Sequence, residues 1–144
     1  MNKFYVILYG AFMLSTNNAW ATELKIKVNN IDIKRGGNII VMIFGEEGFP
    51  KKHEMAFFTQ SKKSQHETIE FSFDVNMEAL AVKVLHDENG DGKVTKNWTG
   101  IWPKEGLGFS NDQKISLKGA PKYKNSRLLK EQLNDGINIS IFYP

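Results

Sequence analysis

The sequence predicts an all-β domain, an antiparallel β-sandwich of about seven strands with Greek-key connections. Three observations carry this. Several runs alternate apolar and polar residues with a period of two, the spacing of a half-buried strand. Clusters of Gly, Asn, Asp and Pro separate those runs at short intervals. Helical periodicity is nearly absent outside one ambiguous stretch, Ser126–Leu133.

The first segment reads as an export leader rather than as part of the fold. Lys3 supplies a positive charge, Phe4–Leu14 a short apolar run, and Ala19-Trp20-Ala21 the small residues of a cleavage site. A bilayer span needs about 20 apolar residues, and this run is roughly half that. Cleavage is expected after Ala21, giving residues 1–21 as signal peptide and 22–144 as one domain without a membrane span. The chain contains no Cys, which excludes disulfides and a lipid anchor on an N-terminal Cys. Localisation is then the periplasm or the medium.

Leu24, Ile26 and Val28 alternate with Lys25, Lys27 and Asn29 as the first strand, with Ile31 and Ile33 as a continuation. Gly36-Gly37-Asn38 offers the positive-φ residues of a hairpin turn. Ile39–Phe44 is continuously apolar, as in a central strand buried on both faces. Gly48-Phe49-Pro50 ends it, with Phe49 as a plug of the core. Met55–Thr59 is a short strand or a helical turn, and polar Ser61–Glu67 a loop. Ile69, Phe71, Phe73 and Val75 make the clearest strand. Leu80, Val82 and Val84 make the next, with Ala79, Ala81, Lys83 and Leu85 on its reverse face and His86 in the inward register. Asp87–Gly108 is a long loop. Ile115 and Leu117 suggest a short strand, Pro121–Asn125 a loop, and Ser126–Leu133 either a helix or an edge strand. Asn134-Asp135-Gly136 turns the chain into a closing strand with Ile137, Ile139 and Ile141. The sandwich would be immunoglobulin-like or prealbumin-like, with a small barrel as runner-up.

The candidate site is His86–Lys93, His-Asp-Glu-Asn-Gly-Asp-Gly-Lys. Asp87, Asn89 and Asp91 present oxygens at alternate positions, as in the first half of a calcium loop. The Lys93 backbone carbonyl and Thr95 stand where such loops supply further oxygens. The second half fails, because Trp98 occupies the place of the closing Glu. Glu88, Glu105 or Asp112 would have to complete the shell. With two loop carboxylates the affinity would be on the order of 10⁻⁴–10⁻³ M. The alternative is a metal-free turn, whose side-chain oxygens accept from their own backbone. Both readings stand at this point.

Net charge is +3, and the basic residues are scattered or paired, as in Lys51-Lys52 and Lys62-Lys63. Nothing resembles a nucleic-acid surface. No nucleophile elbow or zinc-protease pattern occurs. An envelope hydrolase would need His86, Asp87 and Ser110 in hydrogen-bond reach of one another. A carrier of an apolar ligand would use Trp98, Trp102 and Phe109.

The run His86–Lys93, followed by Gly100-Ile101 and Pro103-Lys-Glu-Gly-Leu-Gly-Phe-Ser-Asn111, resembles the bacterial "domain of unknown function 2141" family. Gly48-Phe49-Pro50 and the first two strands fit as well, so the resemblance spans essentially the whole chain after the leader. It implies an exported single-domain β protein and no particular reaction. Two places depart from the family pattern. Trp102 stands between Ile101 and Pro103, where Gly-Ile-Pro is usual. Lys93-Val94-Thr95 replaces a frequent Lys-Leu-Asp, weakening one loop oxygen from carboxylate to hydroxyl. The expectation is a non-enzymatic module of the cell envelope, binding or structural, with a weak calcium loop. Its partner would be an envelope or extracellular ligand. Oligomeric state is left open.

Overall fold

The structure is a computed structural model, described here for residues 21–144. The leader reading lies outside those residues. Regular structure consists of two open sheets and one short helix, as a β-sandwich requires.

The smaller sheet is built on β1 (Thr22–Asn29). Its alternation points Leu24, Ile26 and Val28 inward, all fully buried. On one side β1 pairs antiparallel with β4 (Ile69–Val75), from Thr22 opposite Val75 to Val28 opposite Ile69. On the other side β8 (Ile137–Ser140) runs parallel to it, with Ile26 opposite Ile137. This parallel pair corrects the all-antiparallel expectation. The chain reaches β8 after a long excursion through the other sheet, so no hairpin fixes its direction.

The larger sheet has the order β3 (Phe58–Lys63), β2 (Asn38–Phe44), β5 (Ala79–Asp87), β6 (Leu107–Phe109). A two-residue β7 (Leu128–Leu129) pairs with the start of β5. Ile39, Val41, Ile43, Leu80, Val82 and Val84 meet the inward side chains of the small sheet in one core. The opposite face carries a second cluster of Met42, Phe44, Leu85, Leu107 and Phe109. Burial on both faces is why β2 and β5 read as continuous apolar runs. Loops from residues 91–120 and the Phe49 segment cover this outer face. Phe49 meets Phe44, Phe109 and Tyr123 edge-on, with centroids 5.7, 6.3 and 6.2 Å away, so it does plug the core.

Several boundaries differ from the periodicity. β1 stops at Asn29 because Asn30 takes a positive φ of 60°. Ile33 then falls in a 3-10 turn, Ile33–Arg35, and is exposed. Gly36 and Gly37 do have positive φ, at 66° and 72°. They join strands of different sheets, though, and so form an arch rather than a hairpin. A 3-10 turn, His53–Met55, precedes β3, which runs on through Lys63 into the expected loop. An edge strand exposed on both faces needs no apolar alternation. Its Gln60 and Lys62 side chains instead donate to the Ser72 and Glu70 carbonyls of β4, at 2.7 and 2.6 Å. Ile115–Leu117 is not a strand but part of a turn closed between Ser116 and Gly119. Ser126–Leu133 is neither one helix nor one strand. It divides among α1 (Tyr123–Ser126), β7 and a 3-10 turn, Lys130–Leu133.

Candidate functional site

The acidic loop begins where β5 ends. Asp87 is 2% exposed. Its two oxygens accept from the backbone N–H groups of Gly90 and Gly92, at 3.0 and 2.9 Å. Asn89 Oδ1 accepts from Asp91 N–H at 3.1 Å, and Asp91 Oδ1 from Lys93 N–H at 2.8 Å. The Asn89 amide donates to Asp91 Oδ2 and to Thr95 Oγ1. The loop thus gathers Asp87, Asn89, Asp91 and Thr95 around its own backbone, the pattern of nested Asx turns.

Glu105 is the latch of this loop. It is 2% exposed, and its carboxylate accepts from Glu88 N–H at 3.1 Å and Thr95 N–H at 2.9 Å. Glu88 itself faces Arg35 at 2.8 Å, a contact that raises the Arg35 pKa. Asp112 lies in the turn after β6. Among the described residues, no three His, Cys, Asp or Glu side chains form a group that could hold a metal ion.

His86 and Ser110 do not assemble with Asp87 into a hydrolytic trio. His86 is fully buried. Tyr143 Oη accepts from Asp32 N–H at 2.8 Å and donates to His86 Nδ1 at 2.7 Å; His86 Nε2–H donates to the Gly36 carbonyl at 2.6 Å. Both ring nitrogens are therefore spent on structure. Ser110 Oγ accepts from Val82 N–H at 2.9 Å and donates to the Ser126 carbonyl at 2.6 Å. It is a stitch between β5 and the last residue of α1.

The chemistry that the sequence reading passed over sits on the outer face of β5. Lys83 lies in the middle of that strand, opposite Met42 on one side and Phe109 on the other. It is only 4% exposed. Its ammonium donates to the Pro50 carbonyl at 2.9 Å and meets His53 Nε2 at 2.7 Å. His53 Nδ1 faces the Gly92 carbonyl at 3.0 Å. A carbonyl only accepts, so Nδ1 carries the proton and Nε2 accepts from Lys83. Among the described residues, no carboxylate pairs with Lys83. An ammonium has three N–H donors, and two have partners. Burial lowers the Lys83 pKa from 10.5 to about 8. Burial, and next the Lys83 charge, lowers that of His53.

Lys83 and His53 line a cavity of about 440 Å³. Its walls are mainly apolar, with Ile101, Trp102, Leu107, Phe109, Ile115 and Leu117 among them. Two of the three aromatics singled out for a carrier, Trp102 and Phe109, thus share one wall. The third, Trp98, is 97% exposed at the tip of the turn closed by Asn97 and Gly100. Besides those aromatics, the sequence signal for this site was a Lys within the apolar run Ala79–Leu85.

Among the described residues, no helix is long and apolar enough to cross a membrane. No curated protein matches this chain, and no solved structure does. A family model described as "Uncharacterized protein conserved in bacteria" matches residues 26–137. The match takes in β2 through β7 and the Asp87–Asn111 segment, and the chain belongs to the bacterial DUF2141 family.

Proposed function

We propose that the protein is an exported, non-catalytic binding module that holds a small apolar molecule with an anionic head in the cavity over Lys83. One observation carries this: the Lys83 ammonium, without a carboxylate partner among the described residues, lines a mainly apolar chamber. A buried charge is costly unless it is paired. A carboxylate or similar anion would take up the third N–H as a charge-assisted hydrogen bond. The ligand's apolar body would lie along Trp102, Phe109 and Ile115. The volume falls within the usual range for small-molecule sites, roughly 300–1,000 Å³. Lys3, Phe4–Leu14 and Ala19-Trp20-Ala21 support export. The alternation of strands between the two sheets supports a Greek-key sandwich.

The test compares decanoate with decanol by titration calorimetry near neutral pH. Decanoate is expected to bind, and Lys83→Met to weaken it by about tenfold or more, as loss of a hydrogen bond to a charged group implies. Decanol should bind parent and variant alike. Decanoate affinity should also fall as pH rises through about 8, because Lys83 loses its proton there. Equal decanoate affinity in parent and variant, or none in either, rejects the proposal.

A further inference from the structure

The cavity mouth is flanked by two projecting loop tips whose apolar side chains touch almost nothing. Trp98 is 97% exposed, Leu117 93% and Ile101 73%. Large apolar side chains exposed together mark an interaction surface. Trp98 sits on the turn whose base, Lys96 paired with Pro103, lines the cavity. Leu117 sits on the Ser116–Gly119 turn and lines the cavity as well.

Among the described residues, the charged side chains that line the cavity have one sign. Lys51 and Lys96 line the mouth, and Lys118 follows Leu117; all three are exposed. No Asp or Glu lines the cavity. We propose that this rim is a membrane-docking surface, with Trp98, Ile101 and Leu117 entering the interface of an anionic lipid bilayer and the lysines lying against its head groups.

The shape and the chemistry agree on that partner. Tips this exposed would need matching hollows in a protein partner, whereas a lipid interface needs none. Indole rings favour the level of the head groups. A lysine stem lies along apolar surface while its ammonium stays at the polar boundary. Each lysine near an anionic surface contributes about 1 kcal/mol. Docking in this orientation would press the cavity mouth against the lipid, where apolar anions reside. The inference stands on the loop tips and does not depend on what fills the cavity.

The test uses the chain from Thr22 onward, which holds every strand found among the described residues. Co-sedimentation is measured with phosphatidylglycerol-containing vesicles and with pure phosphatidylcholine vesicles. Binding is expected to the anionic vesicles, weakened by high salt, with a blue shift of tryptophan emission. Trp98→Ser and Lys118→Gln alter residues that do not line the cavity. Lys118→Gln should weaken partitioning roughly fivefold, from about 1 kcal/mol per lysine. Trp98→Ser should weaken it further and remove most of the blue shift. Decanoate titration of the same variants should match the parent, so failure of docking and failure of the cavity reading are read separately. Three results would each overturn docking. One is no sedimentation with anionic vesicles, and another is sedimentation unchanged by Trp98→Ser. The third is a lipid-free dimer that Trp98→Ser abolishes, which would assign the tips to a second copy of the chain.

Discussion

Lys83→Met separates a buried charge from the packing around it. Met keeps an unbranched apolar stem and discards the ammonium. Lys83 holds its proton to about pH 10.5 when unfolded and to about pH 8 when folded. Below the lower value both states are protonated, and the full cost of burying the charge is present. Between the two values the unfolded chain binds one more proton than the folded chain, so stability rises with pH. At 1.36 kcal/mol per unit, the whole window is worth about 3 kcal/mol. The quantity to measure is the difference in unfolding free energy between parent and Lys83→Met, from urea melts at pH values from about 7 to 10. Groups that titrate alike in both proteins cancel. Burial, and next the Lys83 charge, holds the His53 pKa below its ordinary value of 6.5, so it titrates below the window. The parent should gain on the variant by about 2–3 kcal/mol across the series. Saturating decanoate should push the rise to higher pH, since a bound anion holds the proton on. A flat or falling difference would refute the argument, because it would mean that the ammonium is solvated in the folded state.

Further substitutions probe groups that do not line the cavity. Tyr143→Phe removes the hydroxyl that links Asp32 N–H to His86 Nδ1, and should cost about 1–3 kcal/mol in a urea melt; an unchanged midpoint would mean that water replaces it. Glu105→Gln places an amide NH₂ against one of two backbone donors, Glu88 N–H or Thr95 N–H. Hydrogen exchange at one or both of those amides should quicken while β1 and β4 stay protected. Gly37→Ala would set a Cβ 2.2 Å from the Asp87 carbonyl oxygen at a positive φ, and should lower stability by well over about 1 kcal/mol. Millimolar calcium is expected to leave the melting temperature unchanged, because Asp87, Asn89 and Asp91 already accept from the loop's own amides. A calcium-dependent rise lost in Asp91→Ala would instead support the cation reading.

Strands that obey a local rule were legible from residue order. β1 and β4 alternate because one face is buried; β2 and β5 are apolar throughout because both faces are. His86 fell in the inward register and is sealed there. β3 was only half visible, since an edge strand carrying Gln60 and Lys62 has no face to bury. β6 was invisible, because Gly108 sits where a side chain would strike Ile139 Cγ2 at 2.7 Å. The direction of β8 depends on pairing with a strand over a hundred residues away, and no local pattern encodes that. The acidic loop announced itself, because its hydrogen bonds join neighbours in sequence. The cavity did not, because its walls come from residues 50–53, from Lys83, and from segments 94–103 and 107–120. Lys83, a charge inside an apolar run, and the carrier aromatics Trp102 and Phe109 hinted at it.

The parallel β1–β8 pair sets an order of events during folding. β1 lies at the centre of the small sheet, between β4 and β8, and Gly136, just before β8, packs against the Lys25 carbonyl. The first described strand therefore waits for the last before its second edge is satisfied. Contacts so distant in sequence close slowly. A chain threaded through a membrane leader-first would emerge with its central strand incomplete, and could seal that sheet only after the final segment had followed it across.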